Sequence, residues 1–136
     1  LNECKKFKGK GPIIYRSSWE QRFCQYCERN DNIEWWSSES ISIKYVSPVD
    51  SRIHEYFPDF LLKLRSGQII IAEIKPISQL KEPKKPRTKS PKTINSYHQK
   101  YMDYMVNMAK ISAAKEYATR TGAKYLLVTE KFFQTT

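Results

Sequence analysis

The spacing of apolar residues predicts one helix near the start of the chain and a longer one towards its end. Residues 18–30 place Trp19 and Phe23 on one arc of a helix, as burial of a single face requires. The same three- and four-residue spacing runs through residues 96–121, and Gly122 is placed to end that helix. Both helices are therefore expected to pack an apolar face against the rest of the protein.

Four further segments have the alternating or continuous apolar pattern of β-strands. They cover residues 41–45, 55–65, 68–75 and 124–129. The second and third are separated by Ser66-Gly67 and should form a hairpin, whereas the strand after the long helix should join the sheet through a crossover. The predicted element order is αβββαβ, in an α/β fold whose mixed central sheet is flanked by helices.

Length and composition favour one domain. A chain of 136 residues can bury a sizeable core without disulfides, and no run of apolar residues is long enough to cross a bilayer. We expect a basic tail over residues 1–12, a single domain over 13–136, and a long mobile loop over 76–95, which is rich in Lys, Pro and Ser. The sequence has no glycine-rich phosphate loop, which argues against a nucleotide cofactor. Cys24 and Cys27 fit core packing in a reducing cytoplasm.

The positive charge of the chain is concentrated in two segments. The formal net charge is +10; residues 1–16 hold five basic residues against one acidic residue, and residues 81–92 hold six against one. Localised lysine and arginine on flexible segments favour nucleic-acid binding, through phosphate contacts that do not read sequence. The predicted DNA-binding residues are Lys5, Lys6, Lys8, Lys10, Arg16, Lys81, Lys84, Lys85, Arg87, Lys89 and Lys92.

The main candidate for chemistry is an acidic pair on the predicted hairpin. Asp59 lies early in the second strand, and Glu73 and Lys75 lie two residues apart on the third strand, so these last two side chains share a face. A carboxylate in an otherwise apolar strand is costly unless it is paired or binds a metal. The pattern therefore indicates either an ion pair or a functional site.

The length of the hairpin loop decides whether Asp59 joins Glu73. A two-residue loop at 66–67 would turn the Asp59 side chain to the other face of the sheet. A three-residue loop at 65–67, with Gly67 in the left-handed conformation, would set Asp59 directly opposite Glu73. Both loops are compatible with the sequence.

In the second arrangement, Asp59 and Glu73 are candidate metal ligands. Two convergent carboxylates repel each other unless a cation lies between them, and oxygen ligands favour Mg²⁺, for which Mn²⁺ can substitute. Lys75 would hold the attacking water and offset charge on a scissile phosphate. Glu20 falls on the inward arc of the first helix and could complete the site; the alternative is a capping box with Ser17.

Several motifs together resemble the PD-(D/E)xK nuclease superfamily, whose core has the αβββαβ order. The matching residues are Pro58-Asp59 and Glu73-x-Lys75, preceded by the helical Glu20. A wider set resembles the head completion nucleases of T-even-type tailed phages and, in its spacing, the endonuclease subunit of Tn7-like transposases. These motifs are Tyr15-Arg16-Ser17-Ser18-Trp19-Glu20, Glu34-Trp35, Ser38-Glu39, Ile43-x-Tyr45, Ser47-Pro48-x-Asp50, Ile53-His54, Tyr56-Phe57-Pro58-Asp59-Phe60 and Glu73-Ile74-Lys75-Pro76.

The resemblance implies a restriction-endonuclease-like fold and a Mg²⁺-dependent DNA endonuclease that processes packaged phage DNA ends during head completion. It implies Asp59 and Glu73 as metal ligands, Glu20 as the helical acid that completes the metal set, and Lys75 as a further catalytic residue. The implied partners, besides DNA, are portal or neck proteins of the capsid, and the implied locations are the host cytoplasm during assembly and the virion. The long basic loop departs from the family pattern, so the mode of substrate binding can differ.

Two other functions stay open on the sequence alone. The first is a non-catalytic protein that binds DNA ends or the portal, because a fold does not fix a function. The second is a small RNA-binding domain that stacks bases on exposed aromatic residues such as Trp35-Trp36. The sequence does not distinguish ends, branches and nicks as substrates, and it leaves the oligomeric state open.

Overall fold

A computed structural model describes residues 5–9 and 18–134 of the chain. Five consecutive strands follow the first α-helix, and the sixth strand lies between the last two α-helices. The elements are α1 (Ser18–Arg29), β1 (Ile33–Ser38), β2 (Ile43–Val46), β3 (Ile53–Tyr56), β4 (Phe60–Leu64), β5 (Ile69–Ile74), a short 3₁₀ helix (Ile77–Leu80), α2 (Pro91–Thr121), β6 (Lys124–Val128) and α3 (Glu130–Gln134).

The central sheet has four strands in the order β1-β4-β5-β6. β4 is antiparallel to both β1 and β5, whereas β6 is parallel to β5 because α2 carries the chain back across the sheet. The strands of this sheet and the two long helices follow the predicted order αβββαβ. Along the chain they are α1, β1, β4, β5, α2 and β6. The prediction of an α/β fold with a mixed sheet is confirmed, and the architecture is consistent with a restriction-endonuclease-like fold.

The first strand of this core is not the segment that the sequence pattern indicated. The predicted strand at 41–45 corresponds to β2, which pairs with β3 in a separate two-stranded sheet, while the core strand is β1. A register shift between Ile33 and Trp35 breaks the alternation of β1, so Ile33 and Trp36 are buried in the same cluster although they lie three positions apart. A bulged strand lacks the two-residue period on which the sequence prediction relied.

The predicted strand at 55–65 is also divided. Its start belongs to β3 and its end to β4, and the three residues from Phe57 to Asp59 lie between them. Pro58 has no amide hydrogen to contribute to a ladder, which explains the break within an otherwise apolar run. The break matters for the site, because it places Asp59 immediately before the first residue of β4.

The long helix α2 begins five residues earlier than the predicted start at residue 96. Ser90 caps its first turn by accepting a hydrogen bond from the backbone N–H of Thr93 at 3.3 Å, and Pro91 occupies the first helical position. The composition of residues 76–95 obscured this start signal. Gly122 ends the helix with φ +78°, as predicted. The short α3, after the last strand, was not predicted.

Two apolar clusters hold these elements together. The larger lies between α1 and the central sheet and includes Phe23 and Trp36, both 0% exposed. The smaller joins the β2–β3 hairpin to α2, with Tyr56 packed near Ala114. Cys24 and Cys27 are buried in the larger cluster, which confirms that they pack in the core. Within residues 5–9 and 18–134, no helix is both long enough and apolar enough to cross a membrane.

The described N-terminal residues lie beside β1. The backbone N–H of Lys8 donates to the carbonyl of Trp36 at 2.8 Å, and the N–H of Trp36 donates to the carbonyl of Lys6 at 3.1 Å. Part of the segment predicted as a tail therefore contacts the sheet. The boundary at residue 12 stays a prediction, because residues 10–17 lie outside the described part of the chain.

Candidate functional site

The loop of the β4–β5 hairpin has three residues, 65–67, which is the second of the two loop lengths that the sequence allows. The N–H of Gly67 donates to the carbonyl of Leu64 at 2.9 Å, and Gly67 has φ +95°, a left-handed conformation that glycine adopts without strain. Phe60 pairs with Ala72, so the next pair along the ladder sets Asp59 opposite Glu73. Residues opposite each other on antiparallel strands share a face, which brings the two carboxylates together.

Both carboxylates are held by backbone groups of the hairpin. A side-chain oxygen of Asp59, Oδ2, accepts a hydrogen bond from the N–H of Ile74 at 2.8 Å. The backbone N–H of Asp59 in turn donates to the Glu73 carboxylate, whose residue is only 6% exposed. This reciprocal arrangement fixes two acidic groups at the end of the hairpin where the chain enters β4.

The raised pKa values of Asp59 and Glu73 show that their ionised forms are disfavoured at this position. Burial and, after it, the neighbouring Asp59 charge together raise the pKa of Glu73 to about 7, against the lowering effects of Lys75 and Lys110. Burial also raises the pKa of Asp59, although the Ile74 amide opposes the shift. Two neighbouring acids whose ionised forms are both disfavoured are typical of a site whose charge is balanced by a bound group.

Two lysines lie within electrostatic reach of these acids. Lys75 follows β5, where its N–H donates to the carbonyl of Val128 at 2.9 Å, and its charge lowers the pKa of both Asp59 and Glu73. Lys110 comes from α2, and its own pKa is lowered by burial and by Lys75. Lys110 was not predicted from the sequence. The sequence feature that could have indicated Lys110 is its place next to Ile111, on a helix whose buried residues are apolar.

Two glutamates influence the charge of Asp59. The charge of Glu20, in the first turn of α1, raises the pKa of Asp59, and so does the charge of Glu39. Ser17, the N-cap residue of the alternative capping box, lies outside the described residues. Glu39 was missed as a neighbour; its N–H donates to the Asp59 carbonyl at 3.2 Å, and its φ of +49° is a strained value for a non-glycine residue.

Two tyrosines form the buried wall beside the carboxylates. Burial and the nearby charges of Glu73 and Asp59 raise the pKa of both Tyr56 and Tyr125. The Tyr56 hydroxyl donates to the carbonyl of Lys110 at 2.9 Å, which links the hairpin to α2. The hydroxyl of Tyr125 is buried and has no hydrogen-bond partner among the described residues. An unsatisfied hydroxyl at this position is a group that a bound water or ligand would satisfy.

The donor set at this site fits a hard divalent cation. Asp59 and Glu73 supply carboxylate oxygens, and a divalent cation would offset the charge that burial penalises. In the described parts of the chain, no three side chains of His, Cys, Asp or Glu form a group close enough to hold a metal ion. Glu20 therefore does not complete a compact triad with Asp59 and Glu73, and any role for it as a ligand stays a prediction.

The predicted DNA-binding residues differ in how free their charges are. The ammonium group of Lys6 donates to the carbonyls of Cys27 at 3.3 Å and Asn30 at 2.7 Å, so it satisfies the end of α1. Lys8 lies over the Trp35 ring, 5.8 Å from its centroid. Lys10 and Arg16 lie outside the described residues. The remaining predicted residues, Lys5, Lys81, Lys84, Lys85, Arg87, Lys89 and Lys92, are exposed.

The mixed α/β sheet, with its acidic pair on adjacent strands, is consistent with the restriction-endonuclease-like class. Residues 30–130 match the family model described as TnsA-like endonuclease N terminal. The chain belongs to this endonuclease family, as the sequence motifs indicated. The chain is also 32% identical over 118 residues to a head completion nuclease of Enterobacteria phage T4, which covers 87% of this chain and 79% of the phage protein. No solved structure gives a significant match to the chain.

Proposed function

We propose that this protein is a Mg²⁺-dependent DNA endonuclease of the PD-(D/E)xK type. The observation that carries the proposal is the register of the β4–β5 hairpin, which sets Asp59 opposite Glu73, with Lys75 within electrostatic reach of both. Membership of an endonuclease family supports the reaction class. The raised pKa values of the two acids support a bound cation as part of the working enzyme.

Asp59 and Glu73 would hold the cation in this proposal, with Mn²⁺ as a substitute for Mg²⁺ and Glu20 as a more distant acid. When bound, the cation supplies Lewis-acid chemistry: it polarises the scissile phosphate and lowers the pKa of water. The backbone N–H of Ile74 would keep the Asp59 carboxylate oriented while it does so. The fit rests on two hard oxygen donors in a site that disfavours uncompensated negative charge.

Lys75 would act on the water and on the phosphate. Its ammonium group can donate a hydrogen bond to the attacking water and offset negative charge that develops on the phosphate oxygens. The water oxygen then forms a bond to phosphorus in line with the departing oxygen, whose bond to phosphorus breaks. Lys110 lies near the same carboxylates and adds positive charge on the α2 side.

The exposed lysines and arginine between residues 81 and 92 would hold the DNA backbone. We expect replacement of Lys84, Lys85, Arg87 and Lys89 with glutamine to weaken duplex binding. The slope of log affinity against log salt should fall by about 0.9 for each phosphate that the variant no longer neutralises. Fluorescence anisotropy at several salt concentrations measures this slope.

The control for this variant replaces four exposed lysines from other elements, namely Lys44, Lys115, Lys124 and Lys131. It makes the same change in net charge. A slope that falls equally in both variants would contradict a specific role for the 81–92 segment and would favour a nonspecific effect of net charge.

We further propose that the biological role matches that of the phage relative, a head completion nuclease. In this role the enzyme trims or processes packaged DNA ends before the neck joins the head. It would act in the host cytoplasm during assembly, with portal or neck proteins as partners. The RNA-binding alternative has less support, because Trp36 is buried and its Nε1 donates to Glu28 at 2.6 Å instead of facing solvent.

The experiment that tests the proposal is nicking of supercoiled plasmid by the purified protein at low salt. We expect conversion to open-circular and linear DNA in Mg²⁺ or Mn²⁺, and none in excess EDTA. Cleavage that persists in EDTA would contradict a metal-dependent mechanism. DNA binding without cleavage in any metal would favour the non-catalytic DNA-end or portal-binding protein.

A further inference from the structure

A groove next to the carboxylates is formed by the long helix α2 and the segment of residues 78–86. Its volume is about 1240 Å³. This is somewhat larger than the roughly 300 to 1,000 Å³ of small-molecule pockets. Along α2, the groove runs from Lys92 to Lys110, which is about 27 Å at the helical rise. A groove of this length and volume suits several units of one polymer chain better than a compact ligand.

The charge of the groove favours an anionic polymer. Five lysines line it against two acidic residues, Glu82 and Asp103. These lysines are Lys81, Lys84, Lys92, Lys100 and Lys110. From Lys92 to Lys110 the lysines extend over about 27 Å of α2, several times the spacing of adjacent phosphates in an unpaired strand. The lysines are therefore spread over a length that one nucleic-acid strand would follow.

Aromatic rings line the same groove. Tyr97 and Tyr104 are half-buried on its α2 side. Between them, Tyr101 lies 5.9 Å and 6.0 Å from the two rings, measured between centroids, and its hydroxyl is hydrogen-bonded to Glu82. This bond ties the loop wall to the helix. Rings interleaved with lysines provide stacking for bases and charge for phosphates, which is the usual composition of a single-strand binding surface.

Lys110 links one end of the groove to the candidate nuclease site. It lines the groove, its carbonyl accepts a hydrogen bond from the Tyr56 hydroxyl at 2.9 Å, and its charge lowers the pKa of Glu73. A duplex presents its bases paired and stacked, so it cannot place them on Tyr97 and Tyr104. A separated strand can stack its bases on these rings while its phosphates meet the lysines.

We propose that this groove binds a single DNA strand and leads it to Asp59 and Glu73. The preferred substrate is then DNA with a single-stranded end or flap, cut near the junction with the duplex. This inference rests on the proposed nuclease function for the cutting step, whereas the binding step stands independently of it.

The test measures the fluorescence anisotropy of a fluorescein-labelled oligothymidylate of twelve nucleotides, and of a labelled duplex of the same length. Each probe is titrated with the full chain in EDTA. The Tyr97→Leu/Tyr104→Leu variant should lose about tenfold or more in affinity for the single strand and less than about twofold for the duplex. Equal losses for both probes, or no loss for either, would overturn the proposal.

A charge substitution provides a second test that removes no packing. Lys100 lines the groove, whereas Lys115 is exposed on the same helix outside it. The two variants compared are Lys100→Gln and Lys115→Gln. The salt slope for the single strand should fall by about 0.7 in the first variant and stay unchanged in the second. An equal fall in both would overturn the groove as the binding track.

The two proposals can fail separately. If the oligonucleotide binds through Tyr97 and Tyr104 but the plasmid is never nicked, the nuclease function is wrong and the groove stands. If the plasmid is nicked in Mg²⁺ but the groove substitutions leave the affinity for the single strand unchanged, the groove proposal alone is wrong.

Discussion

Lys75→Met should reduce the rate of DNA cleavage by about a thousandfold or more, while DNA affinity stays nearly unchanged. The charge of the ammonium group lowers the pKa of both carboxyl groups, so it lies within electrostatic reach of the place where a water and the phosphate would bind. Methionine keeps an unbranched side chain out to the ε position and removes the terminal ammonium group, with its charge and its hydrogen-bond donors. Single-turnover cleavage with enzyme in excess measures the chemical step, and anisotropy in EDTA measures binding.

Lys124→Met is the matched control for this variant. Lys124 is exposed on β6, the strand next to β5, and it pairs with Ile70 far from the acidic end of the hairpin. The control should cut DNA at the wild-type rate. A Lys75→Met enzyme that keeps more than about a tenth of the wild-type rate would contradict a catalytic role for Lys75.

Glu73→Gln should abolish cleavage and at the same time stabilise the metal-free protein at pH 8. The pKa of Glu73 is raised by burial to about 7 in the folded state, from an ordinary value near 4.5. Because the folded pKa exceeds the unfolded one, the contribution of Glu73 to stability is complete below about pH 4.5 and is lost as the pH rises through 7. The ionised side chain therefore destabilises the metal-free protein at pH 8.

Between pH 5 and pH 8, this effect amounts to roughly 2 kcal/mol for the wild type. Thermal or urea unfolding in EDTA should show Glu73→Gln to be more stable at pH 8, with a difference that shrinks towards pH 5. Asp59, whose pKa is also raised by burial, acts in the same direction in both proteins. Addition of Mg²⁺ at pH 8 should stabilise the wild type and leave the variant largely unaffected.

Glu116→Gln serves as the control, because Glu116 is exposed on α2. It removes the same charge from a solvated position and should leave the pH profile unchanged. A Glu73→Gln protein that is less stable than the wild type at pH 8 would mean that the buried carboxylate contributes favourable interactions that outweigh its cost of burial.

The acidic pair could be predicted from sequence because local turn chemistry sets its register. Gly67 adopts the left-handed conformation that a three-residue loop needs, and the count of residues back to Asp59 and forward to Glu73 then follows. The choice between two and three loop residues required the structure. The neighbouring break at Pro58 does not disturb this count, since it precedes the ladder.

Residues that reach the pair through tertiary packing could not be predicted in the same way. Lys110 and Tyr125 arrive on α2 and β6, and their positions depend on how the helix crosses the sheet. Glu39 comes close because the chain takes a left-handed step after β1, at a residue type that rarely adopts one. The core strand β1 was not predicted from the sequence, because its bulge removes the alternating pattern.

The most direct test of the metal site is an anomalous-difference map from crystals of the protein soaked in Mn²⁺. We predict a peak between the carboxylates of Asp59 and Glu73, at about 2.1 Å from an oxygen of each, and no such peak in crystals of Asp59→Asn. A peak coordinated by other residues, or an empty site in a protein that cuts DNA in Mn²⁺, would contradict the assignment of these two carboxylates as the metal ligands.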